Sequence, residues 1–413
     1  MDSSLVLFRN ARIFDGESAE CAEHMSVLVE GDRIKEISGS AIQSERAQVI
    51  DLRGRTLMPG LIDAHVHVYG SEVEDRLLET RNMAYNALYA RQMLEHALRC
   101  GFTTVRDVGG GDFAITSAVS NGLIDGPRFL YAGRMLSMTG GHADPRPAHH
   151  THEMCACGLL NHFYHVVDGA DACRRAAREE LRRGAHCVKF TASGGVLSPT
   201  DPIWMEQFTA EEISAIVEEC ERRRTYAAAH CYGAAAAARC AELRVRTIEH
   251  GTLIDPAAAE RIAKIGAFVT PTLSIIKALI ESGAALGLTP VSQAKAQEVY
   301  AYGLSALADL KAAGVKMAFG TDLAGDLYKQ QTREFVLRRE VLQPIDILRS
   351  ATSVSADAIM LGNQIGKIAT GMIADLIVVD GDPLKNIELL AEDGRKLSVI
   401  MAAGRLRKVT LQC

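Results

Sequence analysis

Little in this sequence points outward. Aromatic residues make up only 5% of it, Trp204 is its one tryptophan, and no apolar run approaches the length needed to cross a bilayer. Lysine and arginine are interspersed with aspartate and glutamate, and the formal net charge is -6, so the basic footprint of a nucleic-acid partner is missing. The opening Met-Asp-Ser-Ser-Leu-Val-Leu-Phe-Arg-Asn has neither the charged start nor the long apolar stretch of a signal peptide. The ten cysteines are scattered without a CxxC pair. The closest two, Cys155 and Cys157, have one residue between them, a spacing that rarely closes a disulfide, so reduced thiols are expected. These absences argue against a disulfide scaffold, a nucleic-acid binder and a membrane span, and the expectation is a soluble, cytoplasmic globular protein. With 413 residues, 48% hydrophobic and 23% charged, the chain can bury one large core and one smaller one.

What is present begins with His65 and His67, in Leu57-Met58-Pro59-Gly60-Leu61-Ile62-Asp63-Ala64-His65-Val66-His67. Residues i and i+2 of a strand share a face, so two imidazoles at this spacing can meet one cation at a strand end. Alone the HxH pair is a weak signal, more often two hydrogen-bonded histidines than a metal site. The rest of the chain adds weight, because single His, Lys and Asp residues sit at the ends of later apolar runs.

Those runs are the strands expected at 61–66, 103–108, 129–132, 187–191, 226–230, 247–250, 267–270 and 316–321, with helices between them at 83–99, 211–224, 234–243 and 298–313. Alternation of this kind fits an α/β fold with a (β/α)8 barrel at 57–365, whose chemistry sits at the C-terminal strand ends. A doubly wound sheet is the competitor, but only a closed ring brings the ends of strands 1, 4, 5, 6 and 8 together. The flanks, 1–56 and 366–413, are short strand-like runs broken by turns, and they are expected to pair as one small β-sandwich domain.

The chain resembles the amidohydrolase superfamily. The resemblance runs from Met58-Pro59-Gly60-Leu61-Ile62-Asp63-Ala64-His65-Val66-His67 to Ala374-Asp375-Leu376. It passes through Val188-Lys189-Phe190-Thr191-Ala192-Ser193-Gly194-Gly195, Ala229-His230-Cys231-Tyr232-Gly233, Ile248-Glu249-His250-Gly251-Thr252 and Phe319-Gly320-Thr321-Asp322. Within the superfamily it is most similar to metal-dependent Xaa-Pro dipeptidases (prolidases), grouped with imidazolonepropionase-like proteins. The resemblance implies two divalent metals, with His65, His67 and Asp322 holding one, His230 and His250 the other, and carboxylated Lys189 joining both. It also implies a homo-oligomer.

The residue types make chemical sense of that set. Histidine nitrogens and an aspartate oxygen suit Zn²⁺. A lysine ammonium would repel the cations, whereas a lysine whose pKa is depressed by desolvation can take up CO₂ and become a bridging carbamate. A hydroxide held between two metals is a nucleophile near neutral pH, because bound water drops from a pKa of ~15.7 to ~7. Asp322 can accept the proton from that hydroxide and deliver it to the leaving amine. This chemistry makes the expected reaction a hydrolysis, and the resemblance implies that the bond is the C-terminal amide of dipeptides of Xaa-Pro type or of N-acyl amino acids. The partner is thus a small-molecule or dipeptide substrate, with no nucleic acid and no membrane.

His142, in Thr139-Gly140-Gly141-His142, occupies the place where family members present a histidine to the scissile carbonyl or oxyanion, and Tyr232 resembles a position that binds the substrate's carboxylate end. A solvent-facing loop histidine and a packing tyrosine are the plain alternatives. Arg106-Asp107 reads either as a pair supporting the site or as a simple ion pair. The stretch His149, His150, His152, Cys155, Cys157, His162 and His165 matches no closed zinc spacing and reads as a substrate-covering loop. Ser198, Pro199, Asp201 and Trp204 are expected in the wall after strand 4, with Trp204 beside the substrate or in the core. A mononuclear deaminase or imidazolonepropionase-type ring hydrolase is a second reading, which Lys189 argues against. A lactonase or phosphotriesterase shares the ligand set.

Overall fold

The computed structural model describes residues 5–146, 162–198 and 200–411, so the stretch from His149 to Cys157 and Pro199 lie outside the described residues. In chain order the strands are β1 (Leu5–Ile13), β2 (Ala22–Glu30), β3 (Arg33–Ser38), β4 (Gln48–Asp51), β5 (Thr56–Pro59), β6 (Leu61–Val66), β7 (Phe102–Asp107), β8 (Arg128–Tyr131) and β9 (Met135–Ser137). There follow β10 (Tyr164–Val166), β11 (Cys187–Thr191), β12 (Tyr226–Gly233), β13 (Thr247–Leu253), β14 (Phe268–Thr270), β15 (Lys316–Met317), β16 (Leu376–Val379), β17 (Leu397–Ala402) and β18 (Arg405–Val409).

The flanks meet in one mixed eight-stranded sheet, ordered β18-β17-β16-β5-β1-β2-β3 with β4 on β1. Its seam is the antiparallel pairing of β5 with β16, Pro59 opposite Leu376 and Thr56 opposite Val379. Apolar residues from both flanks, among them Phe8, Val29, Leu57, Val378 and Val399, are buried together there. Burying each such side chain stabilises the fold by about 1.5–3 kcal/mol. Gly60 is the step from this sheet into the central strands. A side chain there would run into Thr103, 2.1 Å from the position of its first carbon, so only glycine fits.

The central strands are parallel, in the orders β6-β7-β8 and β10-β9-β11-β12-β13-β14-β15. Main-chain hydrogen bonds span both seams between these sheets. His186 N donates to Tyr131 O at 2.7 Å, and Ala64 N donates to Phe319 O at 2.8 Å. Strand 8 was expected over 316–321 but forms a regular ladder only at Lys316–Met317. Beyond it Ala318 N still donates to Val269 O, but Phe319 N turns to Ser355 Oγ and Thr321 N to the Asp63 carboxylate, so the regular ladder stops. β9 and β10 are short strands the sequence did not announce.

Helices cover the outside by the rules the sequence obeys. Met83–Arg99 starts at Asn82, whose side chain caps Ala84 N, and buries Asn86, Tyr89, Ala90, Met93, Leu94 and Ala97 on one stripe. Ala210–Arg222 opens with a capping box, Thr209 and Glu212 each satisfying the other's backbone amide. Among the described residues no helix is long and apolar enough to cross a membrane.

Candidate metal centre

The ends of four parallel strands and of the extended segment after β15 converge. β6 brings His65 and leads straight to His67, β11 brings Lys189, β12 brings His230 and Tyr232, β13 brings His250, and the turn after 316–321 brings Asp322. These residues line one cavity together with His142. All eight candidates from the sequence therefore share one space. One ligand atom each of His65, His250 and Asp322 lie within 4.8 Å of one another.

Proton bookkeeping shows what this space lacks. His67 Nδ1 lies 2.9 Å from Gly109 O, and a carbonyl only accepts, so Nδ1 carries the proton and Nε2 of the neutral ring keeps a lone pair. That Nε2 lies 3.1 Å from Asp322 Oδ1. His65 repeats the pattern, with Nδ1 2.9 Å from Glu249 Oε2. Its Nε2, 3.3 Å from the same Asp322 oxygen, is buried without a hydrogen-bond partner. Burial opposes the charge on Asp322, and it takes positive charge at the His65 and His67 rings to outweigh it and hold the carboxyl well below the usual range. Electron-rich atoms thus face one another across about 3 Å, an arrangement that is repulsive unless a cation lies among them. A proton can fill the gap at His67, where Asp322 overcomes burial and raises the pKa. A divalent cation serves both histidines and the carboxylate at once, so these residues fit a metal.

The second half of the set is equally deprotonated. Burial keeps His230 and His250 neutral, well below the ordinary histidine range. His230 Nε2 sits 3.2 Å from Gly194 O, which assigns its proton there and leaves Nδ1 as the free ligand atom. His250 Nδ1 is 2.7 Å from Thr272 Oγ1. Lys189 is 1% exposed and makes no hydrogen bond to a described residue. Burial pulls its pKa down against Glu249 and Asp322, the condition for a free amine. His250 and Asp322 also hold left-handed backbone, φ 73° and 58°. For residues other than glycine this costs about 1–3 kcal/mol each and concentrates at functional sites.

A layer beneath these residues supports them; the sequence offered Arg106 for such a role but not its partner Glu249. Glu249 receives Arg106 Nη2 at 2.8 Å, and the same guanidinium donates to Ala64 O and Thr247 Oγ1. Burial disfavours ionised Glu249, but Arg106 outweighs it and keeps the carboxyl far below the usual range. Asp63 accepts from His65 N, Thr321 N, Thr321 Oγ1 and Gln331 Nε2, which ties the Asp322 turn to β6. The Arg106-Asp107 pair does not form. Neighbours on a strand face opposite ways, and Asp107 instead accepts the amides of Val68, Gly109 and Gly111. The available signal was a charged residue inside an otherwise apolar strand, Glu249 in Thr247-Ile248-Glu249-His250.

The cavity wall is largely apolar, with Val73, Leu78, Val196, Ile275, Ile276 and Leu279 on it. Tyr232 packs against the His230 and His250 rings, with centroids at 4.9 and 5.0 Å. Its hydroxyl makes no hydrogen bond to any described residue. His142 stacks on His230 at 4.2 Å. Ser198 lines the cavity, while Asp201 is buried beside it. Trp204 is neither in the core nor on the cavity; it is 80% exposed, because the wall turns outward there. His162 is exposed, and His165 is half-buried on β10.

Residues 56–406 match the amidohydrolase family. The chain is 30% identical over 367 residues to ochratoxinase from Aspergillus niger, across 85% of this chain and 75% of that protein. Its structure is similar to that of a prolidase complexed with N-methylphosphonate-L-proline, at 42% identity and a TM-score of 0.96, covering 98% of this chain and 100% of the other. It is also similar to a Xaa-Pro dipeptidase with bound methionine in the active site, at 29% identity and a TM-score of 0.89, again over 98% of this chain and 100% of the other. These relatives make the ring of parallel strands a TIM-barrel-like unit. By sequence match and by structure alike, the chain belongs to the amidohydrolase family.

Proposed function

We propose that this chain is a zinc-dependent amidohydrolase that cleaves the C-terminal amide of dipeptides of Xaa-Pro type or of N-acyl amino acids. The observation that carries it is the convergence of His65, His67 and His250 on Asp322, with histidine nitrogens facing a carboxylate, beside a buried, unpartnered Lys189. Similarity to a prolidase, a Xaa-Pro dipeptidase and ochratoxinase supports the substrate class. His65, His67 and Asp322 would hold one metal, His230 and His250 a second, and Lys189, N-carboxylated by CO₂, both. When bound, the metals supply an activated water near neutral pH and polarise the scissile carbonyl.

The chain's own residues do the rest. Asp322 takes the proton from the attacking water and hands it to the leaving nitrogen, which departs as an amine. His142 donates a hydrogen bond to the carbonyl oxygen as it gains charge. The free Tyr232 hydroxyl meets the substrate's carboxylate, and the apolar wall takes the acyl side. The proposed framework is a (β/α)8 barrel at 57–365, with 1–56 and 366–413 as a small β-sandwich domain, which would require their one eight-stranded sheet to fold over its own buried face. Zinc-loaded protein assayed against a panel of dipeptides and N-acyl amino acids should hydrolyse the free acids, lose activity on chelation, and contain about two metals per chain by elemental analysis. Turnover confined to lactones, phosphotriesters or ring amides would replace this reading.

A further inference from the structure

The loop after β11 builds a second polar device, separate from the metal ligands, around His142. The ring nitrogen Nδ1 lies 2.8 Å from Ser198 Oγ. The backbone of His142 donates its amide to Gln207 Oε1 at 3.0 Å. Beneath the ring, Gly195 is close enough that a side chain there would meet the imidazole 2.1 Å away. His142 is thus clamped at its backbone, one ring edge and one ring face.

What Ser198 does with its single proton decides what His142 can offer. It has two acceptors within reach, His142 Nδ1 at 2.8 Å and Gly195 O at 3.3 Å. Gly195 O already accepts from the Lys295 ammonium at 3.0 Å. Lys295, on the helix Pro290–Ala312, spends its other two protons on Ser198 O at 3.1 Å and Asp201 O at 2.6 Å, so one cation pins the loop by three carbonyls. Gly195 O thus already has a charged donor for one of its two lone pairs, and the Ser198 hydroxyl lies nearer to His142 Nδ1 than to that carbonyl. Asp201 Oδ2 does not compete for that edge as an acceptor. It lies 3.9 Å from Nδ1 and is engaged by Gly195 N at 3.0 Å and Gln207 Nε2 at 3.1 Å.

We propose that Ser198, with its proton directed by Lys295, is a positioning residue that fixes His142 in the tautomer carrying its proton on Nε2, so that His142 enters the cavity as a hydrogen-bond donor. This rests on the oxyanion role of His142 in the proposed function. In the opposite tautomer Nε2 would present a lone pair to a developing negative charge and would repel what it should stabilise. Lys295 makes no hydrogen bond to His142 itself; its three go to Gly195 O, Ser198 O and Asp201 O.

The tautomer is read directly by selective ¹⁵N-histidine labelling of the zinc-loaded protein, with ring nitrogens correlated to ring protons and His142 assigned by its loss in His142→Gln. The expected signal is a protonated Nε2 and an unprotonated Nδ1 in the wild type; a protonated Nδ1 overturns the proposal whatever the variants do. In Ser198→Ala the His142 signals should become those of a mixture of tautomers. There kcat on an N-acyl amino acid or dipeptide should fall about 10- to 100-fold, with KM within about threefold. Ser198→Thr should restore both, and Lys295→Met should shift both in the same direction by less. An unchanged His142 spectrum with kcat within about twofold in Ser198→Ala refutes the assignment. If Ser198→Ala does not fold, the wild-type spectrum decides alone. If the wild type hydrolyses none of the panel, the proposed function fails while the spectrum still tests the tautomer.

Discussion

Two neighbouring groups of buried polar residues are built on opposite logic. In the layer under the strand ends, every charged group is answered by the protein. Asp63 collects four donors, Asp107 collects three backbone amides, and Arg106 and Glu249 answer each other. At the strand ends themselves, Asp322 faces two histidine nitrogens, and the chain offers only a proton on His67 to stand between them. Both regions are buried by the same barrel-like ring. The difference teaches that the lower layer is part of folding, whereas the upper one is finished by something the chain does not contain. Substitutions in the two regions should therefore fail in different ways.

The largest effect belongs to the upper region. Asp322→Asn should lower kcat by about 10²- to 10⁴-fold, while the melting temperature of the metal-free protein, taken at a pH above the raised His67 pKa, barely moves, since neutral His67 then donates nothing to that carboxylate. A variant that melts early would put Asp322 in the lower layer and dissolve the distinction.

Glu249→Gln tests the converse. It leaves Arg106 buried without its counter-charge, so the metal-free protein should lose about 3–5 kcal/mol of stability in denaturant titration. Because Glu249 also orients His65, zinc affinity should drop about 10- to 100-fold. Unchanged stability with only weaker zinc binding would move Glu249 into the upper region.

Metal removal sharpens the contrast through pH. A cation present at about 1,000 times its dissociation constant stabilises the fold by about 4 kcal/mol. In the metal-free protein the proton on His67 is the substitute, and its pKa lies above the ordinary 6.5. A raised folded pKa contributes stability that is complete below 6.5 and is lost as pH rises through the raised value. The gap in melting temperature between zinc-loaded and metal-free protein should therefore widen as pH rises from about 6 to about 9. A gap that narrows over that range would deny that proton and metal share the site.

The smallest effect is a control outside both regions. Trp204→Ala, at a side chain 80% exposed, should change stability by no more than about 0.5 kcal/mol and leave kcat alone.

The upper region was legible because each ligand stands singly at the end of an apolar run, where a histidine or lysine has no packing reason to be. The lower layer was not, because its partners are distant in sequence. Arg106 and Glu249 are 143 residues apart, and Gln331 and Asp63 are 268 apart. Adjacent letters such as Arg106-Asp107 invite a local pairing that strand alternation forbids. The barrel strands and most helices followed from periodicity. Strand 8 did not, since its amides are diverted to Ser355 and Asp63 by side chains that one-dimensional patterning cannot see. The loop carrying Ser198 and Asp201 could be placed near the site, but its anchor, Lys295, lies 100 residues from Gly195.

The seam between β5 and β16 has a consequence in time. On a ribosome, β5 is complete while its partner strand is still about 300 residues from being made. At about 5–20 residues per second, that is a wait of about 15–60 s. Throughout it the apolar edge of β5 has open backbone donors and acceptors, the condition under which strands recruit neighbouring chains. The ring of parallel strands is synthesised inside that interval, and the first sheet begun is the last one finished, so a stalled or truncated synthesis leaves this edge exposed.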